Sequence, residues 1–459
     1  MIGGGLAGLS SAVALADAGF RVRLLEQKPF LGGRASSYAL PGGEQVDNCQ
    51  HVTLGCCTNL DDFYRRTGAA RKIAYHDRLV FVDRDGRRSV MEASSLPAPL
   101  HLSFSLALFG SLPWSDREAI GRAMIAIARR GGHNSGPELE GKSMLDWLQG
   151  QGQSPAAIAR FWSVVLVSAL NEELDRIDAR YGLDVFWKAF LANRDGYRVG
   201  LPTVPLSELY GGCQAAIEEH GGEVTLRATL RGLRVAGQRV AALQMDGREE
   251  AAGDFVILAL PHQAVLELLP AEVVDRLPLF ANLRRLRASP ITGVHFWFDR
   301  DVMAEPFLTL LDRTSQWIFN KSLLYGGPGK GQYLQVVISA SYGLVAKPRQ
   351  EIIDLCLKEI LDVLPDARTA NLIKATVIKE AAATFSPEPG CDRWRPRQRT
   401  PLENLFLAGD WTATGWPATM EGAVRSGYLA AEAVAAAAGL ARKFVRPDPP
   451  VQGMSRLWG

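Results

Sequence analysis

The stretch Met1-Ile2-Gly3-Gly4-Gly5-Leu6-Ala7-Gly8 decides the fold of this chain of 459 residues. It holds a Gly-x-Gly-x-x-Gly loop, and the small residues of 9–18 behind it predict a helix. A predicted strand over 21–25 then closes on Glu26, near the spacing of about 20 residues typical of an acid that binds a ribose hydroxyl. This order predicts a dinucleotide-binding βαβ unit with the phosphates at the helix N-terminus. The expected contacts are Gly3, Gly5, Leu6, Ala7, Gly8, Glu26 and Gln27.

The strand before this loop is unusually short. Strands are commonly about five residues long, but only Met1 and Ile2 precede Gly3. We therefore expect the natural chain to extend upstream. We also expect a version with a few more apolar residues to hold its cofactor more tightly.

Composition excludes several classes of protein. A hydrophobic share of 47% and a charged share of 22% are ordinary for a globular chain. The net charge of +2 gives no case for nucleic acid as a partner. The six cysteines form no Cys-x-x-Cys, so we expect no metal site, no disulfide framework and a reducing, cytoplasmic location.

Two further elements favour a flavin over a nicotinamide cofactor. Gly32-Gly33-Arg34 follows Glu26, and a glycine pair with an arginine suits a phosphate. Near the other end, a short strand runs into Gly409-Asp410, where the carboxylate suits a ribityl hydroxyl. The helix that begins at Met420 and includes Val424 directs its dipole at a reduced flavin. We therefore predict FAD, bound in part by Gly33, Arg34, Gly409, Asp410, Met420 and Val424.

These elements predict an α/β fold of two interleaved parts. The first is a Rossmann-like FAD-binding domain, a three-layer unit with a parallel sheet, in three segments: 1–55, 205–265 and 385–440. The second is a mixed-sheet-plus-helices substrate domain from 56–204 and 266–384. Prolines in 441–459 predict a loose tail.

Three runs carry a resemblance to a known family. They are Asp47-Asn48-Cys49-Gln50-His51 with the five residues after it, 290–299, and 415–427. All three resemble the squalene-associated FAD-dependent desaturases, now understood as hydroxysqualene dehydroxylases. That family lies in the flavoprotein superfamily of amine oxidases, protoporphyrinogen oxidase and phytoene desaturases. The resemblance spans nearly the whole chain. It implies an apolar polyprenyl substrate and reductive conversion of hydroxysqualene to squalene on the way to hopanoids.

One position departs from the family. Cys49 stands where the family usually has glycine. If the backbone there needs a positive φ, the side chain costs roughly 1 kcal/mol or more. The electron donor that reduces FAD is not indicated by the sequence.

Three other functions stay open. Amine oxidation is disfavoured because Thr419 stands where an aromatic residue is usual and the strand 291–298 has no lysine. Carotenoid-type desaturation needs the same FAD and an apolar tunnel. A flavin-binding scaffold without activity is the alternative that is not an enzyme.

Candidate residues for the chemistry follow from the same runs. Asp47 and His51 are the candidate acids that protonate a leaving hydroxyl. His295 and Trp297 share one strand face by the period-two rule, and either face of that strand suits a substrate tunnel. The substrate-pocket candidates are His295, Trp297, Trp411, Trp416 and Thr419.

The apolar segment 96–112 has two interpretations. It is too short and too interrupted to span a bilayer. It is either a buried helix or a patch that touches the inner face of the cell membrane, with Leu106, Leu108 and Phe109 as contacts. A substrate dissolved in the membrane favours the second interpretation.

Overall fold

The computed structural model describes residues 1–132, 136–326 and 331–458. The strands of these residues are β1 Arg23–Glu26, β2 Ser37–Ala39, β3 Gln45–Asp47, β4 Thr53–Leu54, β5 Ile73–His76, β6 Leu79–Val82, β7 Arg88–Met91, β8 Val199–Pro202, β9 Glu223–Leu226, β10 Leu230–Ala236, β11 Arg239–Met245, β12 Arg248–Ala251, β13 Val256–Leu258, β14 Ala288–Phe298, β15 Phe307–Leu310, β16 Trp317–Asn320, β17 Gln332–Ser339, β18 Leu372–Phe385 and β19 Leu405–Leu407.

The α-helices of the same residues are α1 Leu6–Asp17, α2 Thr58–Arg66, α3 Ser103–Ala107, α4 Trp114–Arg130, α5 Met144–Gly150, α6 Pro155–Ala157, α7 Ser163–Leu170, α8 Ala179–Phe186, α9 Gly211–Glu218, α10 His262–Leu268, α11 Ala271–Arg276, α12 Pro278–Ala281, α13 Lys321–Leu324, α14 Tyr342–Val345, α15 Arg349–Val363 and α16 Met420–Ala437.

Ile2 occupies the position of a central strand in the parallel sheet. Strand β1 pairs with β9, and β13 pairs with β19, in both cases parallel. Ile2 joins the two pairs by bridging Leu25 on one side and Leu258 on the other. Its amide donates to the Ile257 carbonyl at 2.9 Å. The predicted α/β, Rossmann-like order is therefore present, with Gly3 at the carboxyl edge of the sheet, where ligands bind in such folds.

A second, mixed sheet stands beside the first. Its order is β18-β14-β17-β16-β15-β6-β7, and β14 runs antiparallel to both β17 and β18. Alternation along β14 separates two faces, as the period-two rule predicts. Phe296 and Phe298 belong to a closed apolar core with α15, whereas His295 and Trp297 face the other way and stack on Tyr333. The first face is therefore core packing, and only the second is open to a role in a site.

The apolar segment near residue 100 forms the short helix α3, and its side chains divide between two environments. Phe109 is buried at 1% exposure, so the expectation that it contacts a membrane was wrong. Phe104 and Leu108, one helical turn apart, are exposed at 60% and 79%. Arg117 fixes the segment to α4 by donating to the carbonyl groups of Ala107 and Leu112. No helix among the described residues is long and apolar enough to cross a membrane.

The C-terminal tail has fixed contacts along the surface of the protein. Asn59 accepts from the Arg446 amide at 2.8 Å, and the Gln452 amide donates to the Ala192 carbonyl at 2.8 Å. The Ser455 hydroxyl, fully buried, donates to the Leu191 carbonyl at 2.6 Å. A proline-rich composition suggested a loose segment, but these bonds tie the described part of it to α2 and to the helical region before β8.

Candidate functional site

The glycine loop has the geometry that a dinucleotide needs. Gly3 has φ +101°, and a Cβ there would lie 2.4 Å from the Ala259 carbonyl oxygen. Helix α1 begins at Leu6 without a side-chain cap, and its first internal bond is from the Leu9 amide to the Gly5 carbonyl. The amides of Leu6, Ala7 and Gly8 precede that bond, at the positive end of the helix dipole.

Glu26 lies against this loop. Its carboxylate accepts from the Gly4 amide at 2.6 Å and from the Lys28 amide at 2.7 Å. The side chain is buried at 6% exposure, whereas the neighbouring Gln27 is exposed. The acid therefore lies beside the loop as the spacing predicts.

The Gly-Gly-Arg element joins the two ends of the chain. Gly33 has φ +64°, and a Cβ on it would lie 2.9 Å from the Gly5 Cα. The Arg34 guanidinium donates to both carboxylate oxygens of Asp410 at 2.9 Å. It also donates to the Ala383 carbonyl. Residues almost four hundred positions apart thus form one wall.

Helix α16 completes that wall. The Gly409 amide donates to the Ser426 hydroxyl at 2.8 Å, which fixes the turn after β19 to α16. The Ser10 hydroxyl of α1 donates to the Val424 carbonyl at 3.2 Å. Thr419 caps α16 by accepting from the Gly422 amide at 3.0 Å, directly before Met420. Thr419 is therefore occupied as a cap, and α16 is held with its N-terminus near Gly409.

These residues fit FAD. Uncapped amides at the start of α1 suit a pyrophosphate, and backbone close to Gly33 leaves no room for a side chain. Arg34 and Asp410 supply a paired cation and anion at the phosphate and ribityl end. The residues that would hold the cofactor are therefore those predicted at Gly3, Gly5, Gly8, Glu26, Gly33, Arg34, Gly409 and Asp410.

Next to this wall lies a buried ion pair that the sequence did not reveal. The Lys321 ammonium donates to Asp47 at 2.7 Å and to the Gln50 side-chain oxygen at 2.6 Å. Lys321 is 0% and Asp47 1% exposed. The connection to the cofactor wall is short, because the side-chain amide of Asn48 donates to the Arg34 carbonyl at 3.0 Å.

Asp47 is held as an anion. Besides Lys321, its carboxylate accepts from Ser37 at 2.6 Å, from the Leu206 amide at 3.1 Å and from the Tyr325 hydroxyl. Burial by itself raises the pKa of Asp47, but the Lys321 charge and these donors together hold that pKa below its ordinary value. Burial in turn lowers the pKa of Lys321, which Asp47 opposes. Asp47 therefore has no proton to give, and Lys321 is the acidic member of the pair.

His51 and His295 lie within the electrostatic reach of this pair. Burial lowers the pKa of His51, and its Nδ1 donates to the Cys49 carbonyl at 3.3 Å. Burial lowers the pKa of His295 to about 3, so that ring is neutral. Its Nδ1 is 2.7 Å from the Tyr333 hydroxyl, and its Nε2 has no hydrogen-bond partner among the described residues.

Cys49 has a backbone φ of +62°, in the left-handed region that favours glycine. Its thiol is buried, and burial together with Glu380 and Asp47 raises its pKa to about 12. The sulfur would be 3.2 Å from a Cβ on Gly293, and Gln335 and the His295 Nε2 border the same space. The side-chain oxygen of Gln335 also lacks a partner in the described part of the chain. The unpartnered His295 Nε2 beside the Cys49 sulfur indicates a place that could receive a polar group.

The predicted tryptophans of the substrate pocket lie in two separate places. Trp297 stacks on Tyr333 with ring centroids 4.7 Å apart. Trp411 is buried and donates to the Leu260 carbonyl at 2.8 Å. Trp416 is 7% exposed, with Lys188 over its ring, and its Nε1 lacks a partner among the described residues. Trp297 thus lies on the His295 side, whereas Trp411 and Trp416 flank the turn after Asp410.

Known proteins match both the sequence and the fold. The family model for flavin containing amine oxidoreductase matches residues 6–435. A 15-cis-phytoene desaturase of Solanum lycopersicum is 28% identical, over 94% of this chain and 76% of that protein. A probable zeta-carotene desaturase of Synechococcus elongatus is 26% identical, over 96% of this chain and 99% of that protein.

The solved structures show the same fold. Cyclohexylamine oxidase of Brevibacterium oxydans superposes with a TM-score of 0.71 at 17% identity, covering 95% of this chain and 98% of its own. An oxidoreductase of Methanosarcina mazei gives a TM-score of 0.71 at 18% identity, covering 93% and 97%. With its glycine loop, its Gly-Gly-Arg element and its Gly-Asp turn, this FAD-dependent oxidoreductase belongs to the flavin containing amine oxidoreductase family.

Proposed function

We propose that this enzyme removes the hydroxyl group of hydroxysqualene, a polyprenyl alcohol, and gives squalene for hopanoid biosynthesis. The observation that carries the proposal is the buried Lys321–Asp47 pair beside Asn48 and Arg34. Loss of a hydroxyl requires a group that protonates oxygen. Removal of hydrogen from a hydrocarbon requires no such group.

The reaction exchanges a C–O bond for a C–H bond and releases water. FAD, when bound in its reduced form, would supply the hydride. The Lys321 ammonium supplies the proton to the leaving oxygen, and its lowered pKa makes it a stronger acid than an ordinary lysine. Asp47 is a positioning residue that keeps Lys321 charged and oriented. This assignment replaces Asp47 and His51 as candidate acids, because Asp47 is ionised and His51 is neutral.

Aromatic faces near the pair suit a carbon that gains positive charge as the oxygen leaves. Trp297 and Tyr333 stack, and His295 lies beside both. A ring face attracts a cation by about 0.5–2 kcal/mol, more where water is excluded. The neutral His295 adds no competing positive charge, and its free Nε2 can accept a hydrogen bond from the substrate hydroxyl.

Carotenoid-type desaturation is the second candidate. It is favoured by relatives at 26–28% identity that include a phytoene desaturase and a probable zeta-carotene desaturase. Amine oxidation has less support. Thr419, which caps α16, stands where an aromatic residue is usual in amine oxidases, although Lys321 supplies a buried lysine.

Two anaerobic incubations separate these candidates. Photoreduced enzyme receives hydroxysqualene, and oxidised enzyme receives phytoene; the product masses are then measured. The proposal expects squalene in the first and unchanged phytoene in the second. A conjugated product in the second incubation alone supports desaturation. Lys321→Met should abolish squalene formation, whereas Lys443→Met, which removes a lysine that is 89% exposed and paired with Glu432, should not.

We also propose that the enzyme takes its substrate from a membrane through an apolar face made of Leu100, Phe104, Leu108 and Trp114. These side chains are exposed at 42%, 60%, 79% and 64%. Phe104 and Leu108 lie at i, i+4 on α3 and its C-cap and so share a side, and Leu100 lies in the 3-10 turn directly before α3. Interfacial binding grows with the apolar area that enters the lipid.

Liposome flotation tests this contact. Replacing Phe104, Leu108 and Trp114 together by Asp should release the protein from vesicles. The matched control is Ile373→Asp, which changes a side chain that is 66% exposed on β18 of the mixed sheet. Equal flotation of the triple variant and the control would contradict a lipid contact at this face.

A further inference from the structure

A groove of about 410 Å³ on the surface has four arginines and one acidic residue, Glu388, in its lining. Arg284, Arg285 and Arg287 come from the segment before β14, and Arg393 comes from the loop after β18. All four side chains are exposed. The chain as a whole carries almost no net charge, so this concentration is a local feature and not a consequence of composition.

Acidic side chains leave much of this charge unbalanced. Arg284 pairs with Asp275 at 3.0 Å, and Arg287 lies 3.8 Å from Glu388, which Arg176 already engages at 2.7 Å. Arg285 and Arg393 have no carboxylate within 4 Å in the described part of the chain. Their guanidinium groups lie 4.2 Å and 4.9 Å from the ring of Trp394.

The groove backs onto the turn after Asp410. Arg395 follows Trp394, is buried, and donates to the carbonyl groups of Asp410 at 3.0 Å and Trp416 at 2.8 Å. On the other flank, the Leu286 carbonyl accepts from the His262 ring at 3.1 Å, and that ring contacts Trp411 edge-on. Buried Arg395 and Trp411 therefore connect the segments that line the groove to the turn after Asp410, which is assigned to FAD.

We propose that this groove docks a small acidic electron-carrier protein that reduces the FAD. The inference rests on the proposed function, because reductive dehydroxylation consumes two electrons and two protons for each hydroxyl lost as water. Two reduced carriers, each giving up one electron, and two protons from solvent supply that balance. The positive groove would steer an acidic partner to the side of the protein where Arg395 contacts the turn after Asp410. Electron transfer, unlike hydride transfer, does not require the two cofactors to touch.

A nicotinamide nucleotide fits the groove less well. Hydride transfer requires the nicotinamide to touch the flavin, whereas the buried side chains of Arg395 and Trp411 lie between the groove segments and the turn after Asp410. The guanidinium groups of Arg285 and Arg393 also cover the Trp394 ring, which removes the aromatic surface on which a base would stack.

The test uses the FAD-loaded enzyme and an acidic plant-type [2Fe–2S] ferredoxin as the probe. The variant is Arg284→Glu with Arg287→Glu. Both side chains are exposed, and their replacement leaves Arg395 and Trp411 unchanged. The control is Arg231→Glu with Arg248→Glu on the three-stranded antiparallel sheet, at 65% and 63% exposure. Binding is measured by calorimetry, and flavin reduction by prereduced ferredoxin is measured by stopped flow.

We expect the groove variant to bind ferredoxin at least about tenfold more weakly and to be reduced correspondingly more slowly, with both effects fading at high salt. Its FAD content and its reduction by dithionite should equal those of the wild type and of the control. The proposal would be overturned if the groove variant and the control bound ferredoxin equally, or if the wild type did not bind it. Efficient reduction of the wild-type flavin by NADPH that is lost in the groove variant would also overturn it. No polyprenyl substrate enters this experiment, so its failure is distinct from failure of the dehydroxylase assignment.

Discussion

The Lys321 ammonium lies 2.7 Å from the Asp47 carboxylate, and neither side chain is reached by solvent. Charges removed from water lose solvation of several kcal/mol each, which only a close partner and further hydrogen bonds offset. Here the Gln50 side-chain oxygen accepts a hydrogen bond from the Lys321 ammonium, and the Ser37 hydroxyl donates one to the Asp47 carboxylate. The arrangement therefore keeps an ammonium and a carboxylate paired in a place that water does not reach, beside the residues assigned to FAD.

Breaking this pair from one side should be costly. Asp47→Asn leaves an uncompensated buried ammonium, and we expect it to lower the free energy of unfolding by about 3 kcal/mol in urea titrations. Adding Lys321→Met should recover part of that loss, because no buried charge then remains. A double variant as unstable as the sum of the two single variants would contradict the coupling. Asp246→Asn, from an exposed ion pair, is the control and should leave the urea midpoint unchanged.

Cys49 offers a comparison that isolates backbone strain. Cys49→Ala and Cys49→Gly both lose the sulfur, but only alanine keeps a Cβ at φ +62°. The glycine variant should therefore be the more stable of the two by about 1 kcal/mol. Thermal unfolding of the two apoproteins measures the difference. Equal stability would show that the position tolerates a side chain without strain.

The ion pair between Arg34 and Asp410 should matter for cofactor affinity more than for folding. Arg34 is partly exposed, whereas Asp410 is buried, so loss of Arg34 leaves the Asp410 carboxylate as the one unpaired buried charge of this pair. We expect Arg34→Met to weaken FAD binding about tenfold, which corresponds to about 1.4 kcal/mol. Fluorescence titration of apoprotein with FAD gives the dissociation constant. Lys28→Met, which changes an exposed cation on the same loop, should have a smaller effect.

Acid should weaken the fold through His101. This ring is fully buried with no partner for either nitrogen among the described residues, and burial, with Arg194, lowers its pKa to about 4. At pH values between the ordinary pKa of histidine and about 4, His101 is protonated in the unfolded chain but remains neutral in the folded protein. Stability therefore falls as the pH falls through that window, by on the order of 1–2 kcal/mol near pH 5.

Replacing His101 removes this contribution. His101→Phe should flatten the loss of stability between neutral pH and pH 5 in urea titrations, whereas His220→Phe, on the surface, should not. An unchanged acid limb in the first variant would show that His101 is protonated as readily in the folded protein as in the unfolded chain.

Local sequence predicted the cofactor region well, because its elements are short, regular and bounded by glycine. The loop at Gly3, the strand before Gly409 and the helix from Met420 all formed with bounds close to those predicted. Strand β18 was missed, since Lys374 and Lys379 interrupt its apolar pattern and many of its side chains are half-exposed.

The chemistry of the site was harder to predict than its fold. Lys321 meets Asp47 across more than 270 positions, on a helix of one turn that no periodicity marks. A lysine among Phe319, Leu323 and Leu324 gives no local sign that its amine is buried. The two charges meet because α13, directly after β16, lies against the end of β3, which carries Asp47. Such a contact depends on the topology of the fold, which local sequence patterns do not indicate.

The most direct test is the stoichiometry of a single anaerobic turnover. Enzyme with fully reduced FAD is mixed with hydroxysqualene, and the flavin reoxidised is compared with the squalene formed. The account predicts one squalene for each flavin reoxidised, and neither change in Lys321→Met. Flavin that stays reduced in the wild type, or that reoxidises without squalene, would contradict it.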